Sequence, residues 1–275
     1  MCFNAITTAI SLMKSFCRLL VLSVLPTVVF AAIANGQQIH IKARFLEVPK
    51  TTLDLLKPLP EFTNGIAILP AAASQKLLHT LESQPGVETL AEPEVITTSG
   101  RQTQMRATTI ITVITNFAYQ EYGTNGSIVV QDETAETGPV LDVVPYVLSD
   151  GYRISLTATP SLVEFLGYDQ PTNTTAAYNS AGEKIDLPNV LPRFRVLQTS
   201  AHVNLWDGQT VVLGKLENHT IIGALPPGGL LVGTKPDVQN KEVLIFITVT
   251  LVGPAGNRIH TDGEMPFAKE AIPPQ

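Results

Sequence analysis

Hydrophobic and polar positions alternate along QIHIKARFLEV, residues 38–48: Ile39, Ile41, Ala43 and Phe45 fall against His40, Lys42, Arg44 and Glu47. Period-two alternation predicts a strand with one buried face, and the phase slips where Phe45 and Leu46 stand side by side. From Pro49 to Pro70 the chain has four prolines, Asn64-Gly65 and little period, which reads as a connector. In AAASQKLLHTLESQPG the apolar positions Ala73, Leu77, Leu78 and Leu81 recur at helical spacing, and Ser83, Pro85 and Gly86 end the run. This is the one helix the mature chain predicts.

Everything beyond it reads as strands. The stretch from Val87 to Tyr119 holds short runs rich in Val, Ile and Thr, with a turn at Ser99-Gly100. GPVLDVVPYVL and YRISLTATPSLV form two strands joined at Ser149-Asp150-Gly151, a tight-turn signal because glycine adopts the φ > 0 such turns need. A polar loop follows, to Pro192. RVLQTSAHVNL then alternates, with Arg195, Leu197, Thr199, Ala201, Val203 and Leu205 on one face and Val196, Gln198, Ser200, His202 and Asn204 on the other. Asp207-Gly208 predicts a hairpin turn into TVVLG, a proline-glycine tip spans ALPPGGLLVGTKPD, and EVLIFITVTLV is a strong β run. The last 23 residues, 253–275, read as a disordered tail. A strand pair with one polar face fits a soluble sandwich and fits the wall of a wet barrel.

Composition narrows the classes. Hydrophobic residues make up 44% and charged residues 15%, enough for a packed core and well under the usual charged share of about 25%. The net charge of −6 gives no basic footprint for nucleic acid. At the N-terminus, Lys14 and Arg18 precede an apolar run from Leu19 to Ile33 that closes on Ala32-Ile33-Ala34. This is the pattern of a cleaved export signal over residues 1–34, with translation starting at Met13. Cys2 and Cys17 both lie in or before that segment, so the mature chain has no thiol for disulfides, catalysis or metal.

Candidate chemistry is sparse. His40, His79, His202, His219 and His260 are scattered without ligand spacing. Glu92 and Glu94 flank Pro93 as a solvated pair, and there is no G-x-S-x-G. GGLLVGTK has Thr and Lys in the wrong order for a phosphate loop and joins two strands. The pattern predicts neither enzyme activity nor a cofactor or metal.

The order of these segments resembles the secretin family. VETLAEPEVITTSGRQ matches its V-x-x-L-x-x-P-x-V-x-T pattern through Val87, Leu90, Pro93, Val95 and Thr97. GPVLDVVPYVLSDGYRISL matches G-x-x-L-x-V-x-P through Gly138, Leu141, Val143 and Pro145, and continues into Asp150-Gly151. RVLQTSAHVNLWDGQTVVLG supplies Arg195, Thr199, Asp207, Gly208, Thr210 and Gly214, and EVLIFITVT answers the family's closing strand. The resemblance implies a mainly β fold with one short helix, whose antiparallel sheets contribute to an oligomeric double-walled β-barrel. It marks Pro93, Gly138, Pro145, Asp150, Gly151, Arg195, Asp207, Gly208, Thr210 and Gly214 as structural motif positions.

It further implies a homo-oligomeric ring at the bacterial outer membrane that passes a secreted protein or pilus alongside other secretion-system components. The division that goes with it is a signal at 1–34, a leading strand and connector at 35–70, a secretin-like domain at 71–252 and the tail at 253–275. Departures are Ala107 and Thr108 in place of a glycine, Lys215 for the second glycine of L-G-G-L, and a shortened proline-glycine tip. The shortened tip favours the alternative, a soluble periplasmic β-rich scaffold or binding module.

Overall fold

Ile39, Ile41 and Phe45 are wholly buried and Ala43 nearly so, as the alternation of the first strand requires. Their strand is a central one, paired along both edges. The computed structural model describes residues 36–55, 65–123, 125–169, 174–214, 216–222 and 241–266, and the architecture below concerns Gln38 onward.

In chain order the elements are β1 Gln38–Pro49, α1 Lys50–Leu55, β2 Ile66–Leu69, α2 Ala71–Glu82, β3 Glu88–Ala91, β4 Glu94–Thr98, β5 Thr103–Arg106, β6 Thr109–Tyr122, β7 Asn125–Val147, β8 Arg153–Asp169, β9 Thr174–Tyr178, β10 Lys184–Pro188, β11 Leu191–Gln198, β12 Ala201–Trp206, β13 Thr210–Leu213, β14 Glu217–Ile222 and β15 Lys241–Val252. A 3-10 turn, Asp262–Glu264, follows.

Three layers result. The first sheet runs β2-β13-β15-β1-β3, with β4 also on β1. The second runs β14-β11-β8-β7-β5, with β12 on β8 and β6 on β7, and β9 and β10 form a separate pair. The sheets pack face to face over Ile39, Ile41 and Phe45 of β1, Ile245, Ile247 and Val249 of β15, and Leu141, Leu156 and Leu205 of the second sheet. The other face of the first sheet buries Leu46, Val48, Leu244 and Phe246 against Leu77, Leu78 and Leu81 of α2. Farther along β1 and β4 the outer face of the first sheet carries the exposed Lys42 and Glu94, but over this stretch it is the middle layer, covered on both faces. That explains why EVLIFITVTLV is a continuous apolar run, and why the alternation of β1 breaks at Phe45–Leu46, where its pairing with β3 shifts register.

Several expectations change. β1, the expected leading strand, pairs with β15 along its whole length, from Gln38↔Val252 to Pro49↔Lys241. The connector contains α1 and β2, and β2 completes the sheet edge beside β13. RVLQTSAHVNL is two strands, β11 and β12, both on β8. They part opposite Pro160, which has no N–H for the ladder, although its carbonyl still accepts from Thr199 N at 3.2 Å. Asp207-Gly208 does not close a hairpin. β12 lies in the second sheet and β13 in the first, so the turn carries the chain across the core between layers. Residues 253–266, expected to be disordered, are hydrogen-bonded and folded back on β15. The export signal and the proline-glycine tip lie outside the described residues.

Candidate functional site

The strand β7 is 23 residues long and changes partner part-way. From Asn125 to Thr137 it pairs with β6, and from Gly138 to Val147 with β8. The sequence reading placed the start of this strand at Gly138, and the polar stretch NGSIVVQDETAET before it carried no burial pattern to announce a strand. The β6–β7 ribbon has most of its side chains in solvent, while Val113 of β6 and Ala135 of β7 are buried against Phe194 of β11 and Phe165 of β8. Among the described residues the second edge of β7 over 125–137 has no partner strand. Phe117 pairs with Val130 and Tyr119 with Ile128, so these four share one face. Val130 and Ile128 are 48% and 49% exposed, and Tyr122 at the tip is 73% exposed.

The partner change is built around Gly138. Its φ is +117°, and a Cβ there would sit 2.6 Å from the Ala107 carbonyl oxygen and 3.0 Å from Thr108 Cα. Only glycine lets the β5–β6 connection pass this close. Beside it Thr108 Oγ1 donates to Glu136 at 2.6 Å and Arg106 Nη1 at 3.0–3.1 Å. The Thr108 hydrogen bond, helped by the Arg106 charge, holds the Glu136 carboxyl below its ordinary range despite some desolvation. Two further contacts brace the ribbon: Ile114 N donates to Tyr168 Oη at 3.0 Å, and Ser180 N to both Glu121 oxygens at 3.0 Å.

Where the ribbon leaves, the other strands are tied to the first sheet by a buried ion cluster. Arg195 of β11 is 3% exposed. It pairs with Glu164 of β8 and donates to Glu47 Oε1 of β1 at 3.1 Å. Lys241, the first residue of β15, donates to Glu47 Oε2 at 2.6 Å. Desolvation acts to raise the Glu47 carboxyl, but hydrogen bonds from Lys241 and Arg195 outweigh it and hold the group below its ordinary range. Lys241 is raised chiefly by the same bond. Among the described residues Glu47 and Glu164 balance Arg195 and Lys241, with the half-exposed Lys241 also 3.9 Å from Glu88 at the surface, so the charge of the buried Arg195–Glu47 pair is met.

Residues 80–253, more than half of the chain, match the secretin family, described as a bacterial type II and III secretion system protein. The chain belongs to the secretin family. Among solved structures this secretin is similar to the type IV competence pilus secretin PilQ of V. cholerae at 13% identity, over 84% of this chain and 65% of that one, with a TM-score of 0.32. It is similar to the type II secretin GspD of enteropathogenic Escherichia coli at 14% identity, over 86% and 75%, with a TM-score of 0.35. A third likeness is to a chain of the Klebsiella pneumoniae type II outer membrane complex of PulD, PulS and the PulC HR domain, at 14% identity over 85% and 43%, with a TM-score of 0.33. Among curated proteins, none matches this sequence. The secretin thus spans about two thirds of the PilQ chain. Among its described residues no helix is long and apolar enough to cross a membrane.

The secretin motif positions fall in four places, with Pro93 by itself between β3 and β4. Gly138, Pro145, Asp150 and Gly151 lie along the β7–β8 hairpin. Asp150 Oδ1 accepts Tyr152 N and Arg153 N at 3.0 Å, closing the turn in which Gly151 has φ +74°. Burial acts to raise Asp150, and hydrogen bonds from Arg153 and the two amides overcome it, so the carboxyl sits low. Pro145 and Pro93 act through their carbonyls, accepting from Gly100 N at 2.7 Å and Ala43 N at 2.9 Å.

Arg195 lies in the ion cluster. Asp207, Gly208, Thr210 and Gly214 flank the crossing between sheets. Thr210 Oγ1 donates to Ser74 Oγ of α2 at 3.1 Å and lies 2.7 Å from Thr248 Oγ1, and Gly214 N donates to Gly65 O at 2.8 Å. The sequence reading missed Glu47, Glu164 and Lys241, which carry no spacing signal. It also missed His260, which lies 3.0 Å from the Asp207 carboxylate.

Proposed function

We propose that this secretin is a non-catalytic subunit of an exported, homo-oligomeric ring channel at the bacterial outer membrane, through which a secreted protein or a pilus passes. The observation that carries the reading is the β6–β7 ribbon. A two-stranded ribbon is marginally stable in water, and an unpaired strand edge is a template for another strand. This ribbon has both an open β7 edge over 125–137 and half-exposed Val130 and Ile128 beside it. Neighbouring copies arranged head to tail around a ring supply the missing partners without any new sequence.

In this reading the ribbons form an inner wall and the outward ends of β8, β11 and β14 an outer one, with Gly138 setting the angle between them. The partners are identical copies, the outer membrane, the cargo and other secretion-system components; the chemistry is assembly and gating, with no bond made or broken and no cofactor.

The test is particle imaging after extraction in mild detergent. Rings with a lumen and a heat-resistant multimer are expected, and a clean monomer at high concentration overturns the proposal. Ile128→Lys with Val130→Lys, at half-exposed positions, is expected to leave subunit stability within about 0.5 kcal/mol while abolishing the multimer.

A second reading, a soluble periplasmic scaffold, draws support from the sandwich itself, whose core closes between two sheets and α2 without help from another chain. Recovery in the periplasmic wash and absence from the outer-membrane fraction selects it.

A further inference from the structure

The secretin match ends at residue 253, but the folded structure does not. Beyond β15 the chain makes a tight turn, with Gly256 N donating to Gly253 O and Gly253 N to Asn257 O, both at 2.8 Å. It then runs back antiparallel along β15: Arg258 bridges to Val252, and Ile259 N donates to Leu251 O at 3.0 Å. This end of β15 lies past the reach of β13, whose pairing stops at Thr210↔Thr248. The tail therefore takes the edge position that β13 leaves open where the chain crosses between the sheets.

Its side chains fit that crossing. Asp207 has no solvent exposure. Its Oδ1 accepts Leu251 N at 2.8 Å and its Oδ2 pairs with His260 Nδ1 at 3.0 Å. The His260 ring stacks on Tyr152 with centroids 4.4 Å apart and is 15% exposed. Arg258 Nη1 pairs with Asp262 at 2.6 Å, and Nη2 lies 3.4 Å from the Asp207 carbonyl oxygen. A Cβ on Gly208 would be 2.4 Å from Arg258 Nη2, so the glycine leaves room for the guanidinium. Met265 is fully buried.

The two Asp-Gly pairs look alike in the sequence and differ here. Asp150 spends its carboxylate on the amides of its own turn, the usual use of aspartate in a turn. Asp207 is aimed away from its turn, at β15 and the tail. A buried carboxylate is costly unless its oxygens are bonded and its charge is met. The β15 amide meets one oxygen, and the tail supplies the other partner.

The geometry assigns the Asp207–Gly208 crossing as a receptor for an extended Arg-x-His peptide that adds as a strand beside β15, occupied by this chain's own residues 254–266. The tail is an internal clasp. It closes a strand edge and a carboxylate slot that stand open to another segment of the same class once the tail is released.

Amide hydrogen exchange on the full chain tests this. His260→Ala and Asp207→Asn should each speed exchange at Ile259 at least tenfold and leave the Ile41 amide unchanged. The double variant should be no worse than the worse single one. His260→Asn, which keeps a donor near the Nδ1 position, should recover exchange to within about threefold of the native chain. A synthetic peptide of residues 254–266, added to the Arg258→Ala/His260→Ala chain, should gain protection at its own Ile259 amide, the donor to Leu251 O, and its histidine-to-alanine version should not. Unchanged Ile259 exchange in His260→Ala, additive effects in the double variant, or no protection of the native peptide overturns the assignment.

Discussion

Arg195 on β11 donates to Glu47 on β1 at 3.1 Å, joining two sheets through residues 148 positions apart in the chain. The pair fixes how the outward strands stand on the middle layer, because Arg195 also holds Glu164 on β8 and Glu47 also receives Lys241 from β15. Four strands meet in one cluster of ion pairs.

Removing the arginine leaves buried carboxylate charge unanswered. Arg195→Met is expected to destabilise the subunit by roughly 3 kcal/mol, the scale for breaking a buried pair on one side. Adding Glu47→Met and Glu164→Met should recover part of that loss, since removal of whole buried pairs is often neutral. Denaturant unfolding of the three chains measures both, and a triple variant less stable than Arg195→Met alone contradicts the account.

Acid should act through Glu47. Its folded pKa lies below the ordinary value of 4.5 because the Lys241 and Arg195 hydrogen bonds exceed the desolvation that opposes them. A depressed carboxyl contributes stability that is complete above the unfolded value and lost as pH falls through the folded one. Stability should therefore be flat through neutrality and decline below about pH 4.5, with Glu136 and Asp150 adding in the same direction. Glu47→Gln should lower the neutral plateau and make the acid limb shallower. An unchanged slope in a urea titration across pH 3–6 (a range of about three units around the ordinary carboxyl values) goes against it.

Gly138→Ala should cost roughly 1–3 kcal/mol, the range for a residue held in a disfavoured backbone region, because a Cβ meets the Ala107 carbonyl oxygen at 2.6 Å. Gly151→Ala at φ +74° meets nothing within 4 Å and should cost less. Thermal unfolding of the pair compares them. Equal losses would mean that the close β5–β6 approach is not what requires glycine at 138.

Much of the architecture was legible because it is local. The β7–β8 hairpin could be read from Asp150-Gly151 and the flanking alternation, and α2 from Leu77, Leu78 and Leu81. What the sequence concealed depends on other parts of the chain. Asp207-Gly208 specifies a turn, but nothing local says whether the strands it joins share a sheet. The phase slip at Phe45–Leu46 was visible, yet its cause is a second buried face against α2. The outer half of β7 has no apolar period because water covers most of it. Glu47, Glu164, Arg195 and Lys241 come together only through pairing of β1 with β15 and of β8 with β11, which no spacing reveals.

β7 passes from the ribbon into the sandwich without a break, and this has a mechanical consequence. At about 3.3 Å per residue, its stretch from 125 to 137 is an oar some 40 Å long, set in a rowlock at Gly138 and braced at Tyr168 and Ser180. A sideways push at Tyr122 is delivered as torque to the Arg106–Glu136 contact and, through β8, to the hold Arg195 keeps on β1. A load on the blade is thus felt in the hull, with leverage set by one glycine.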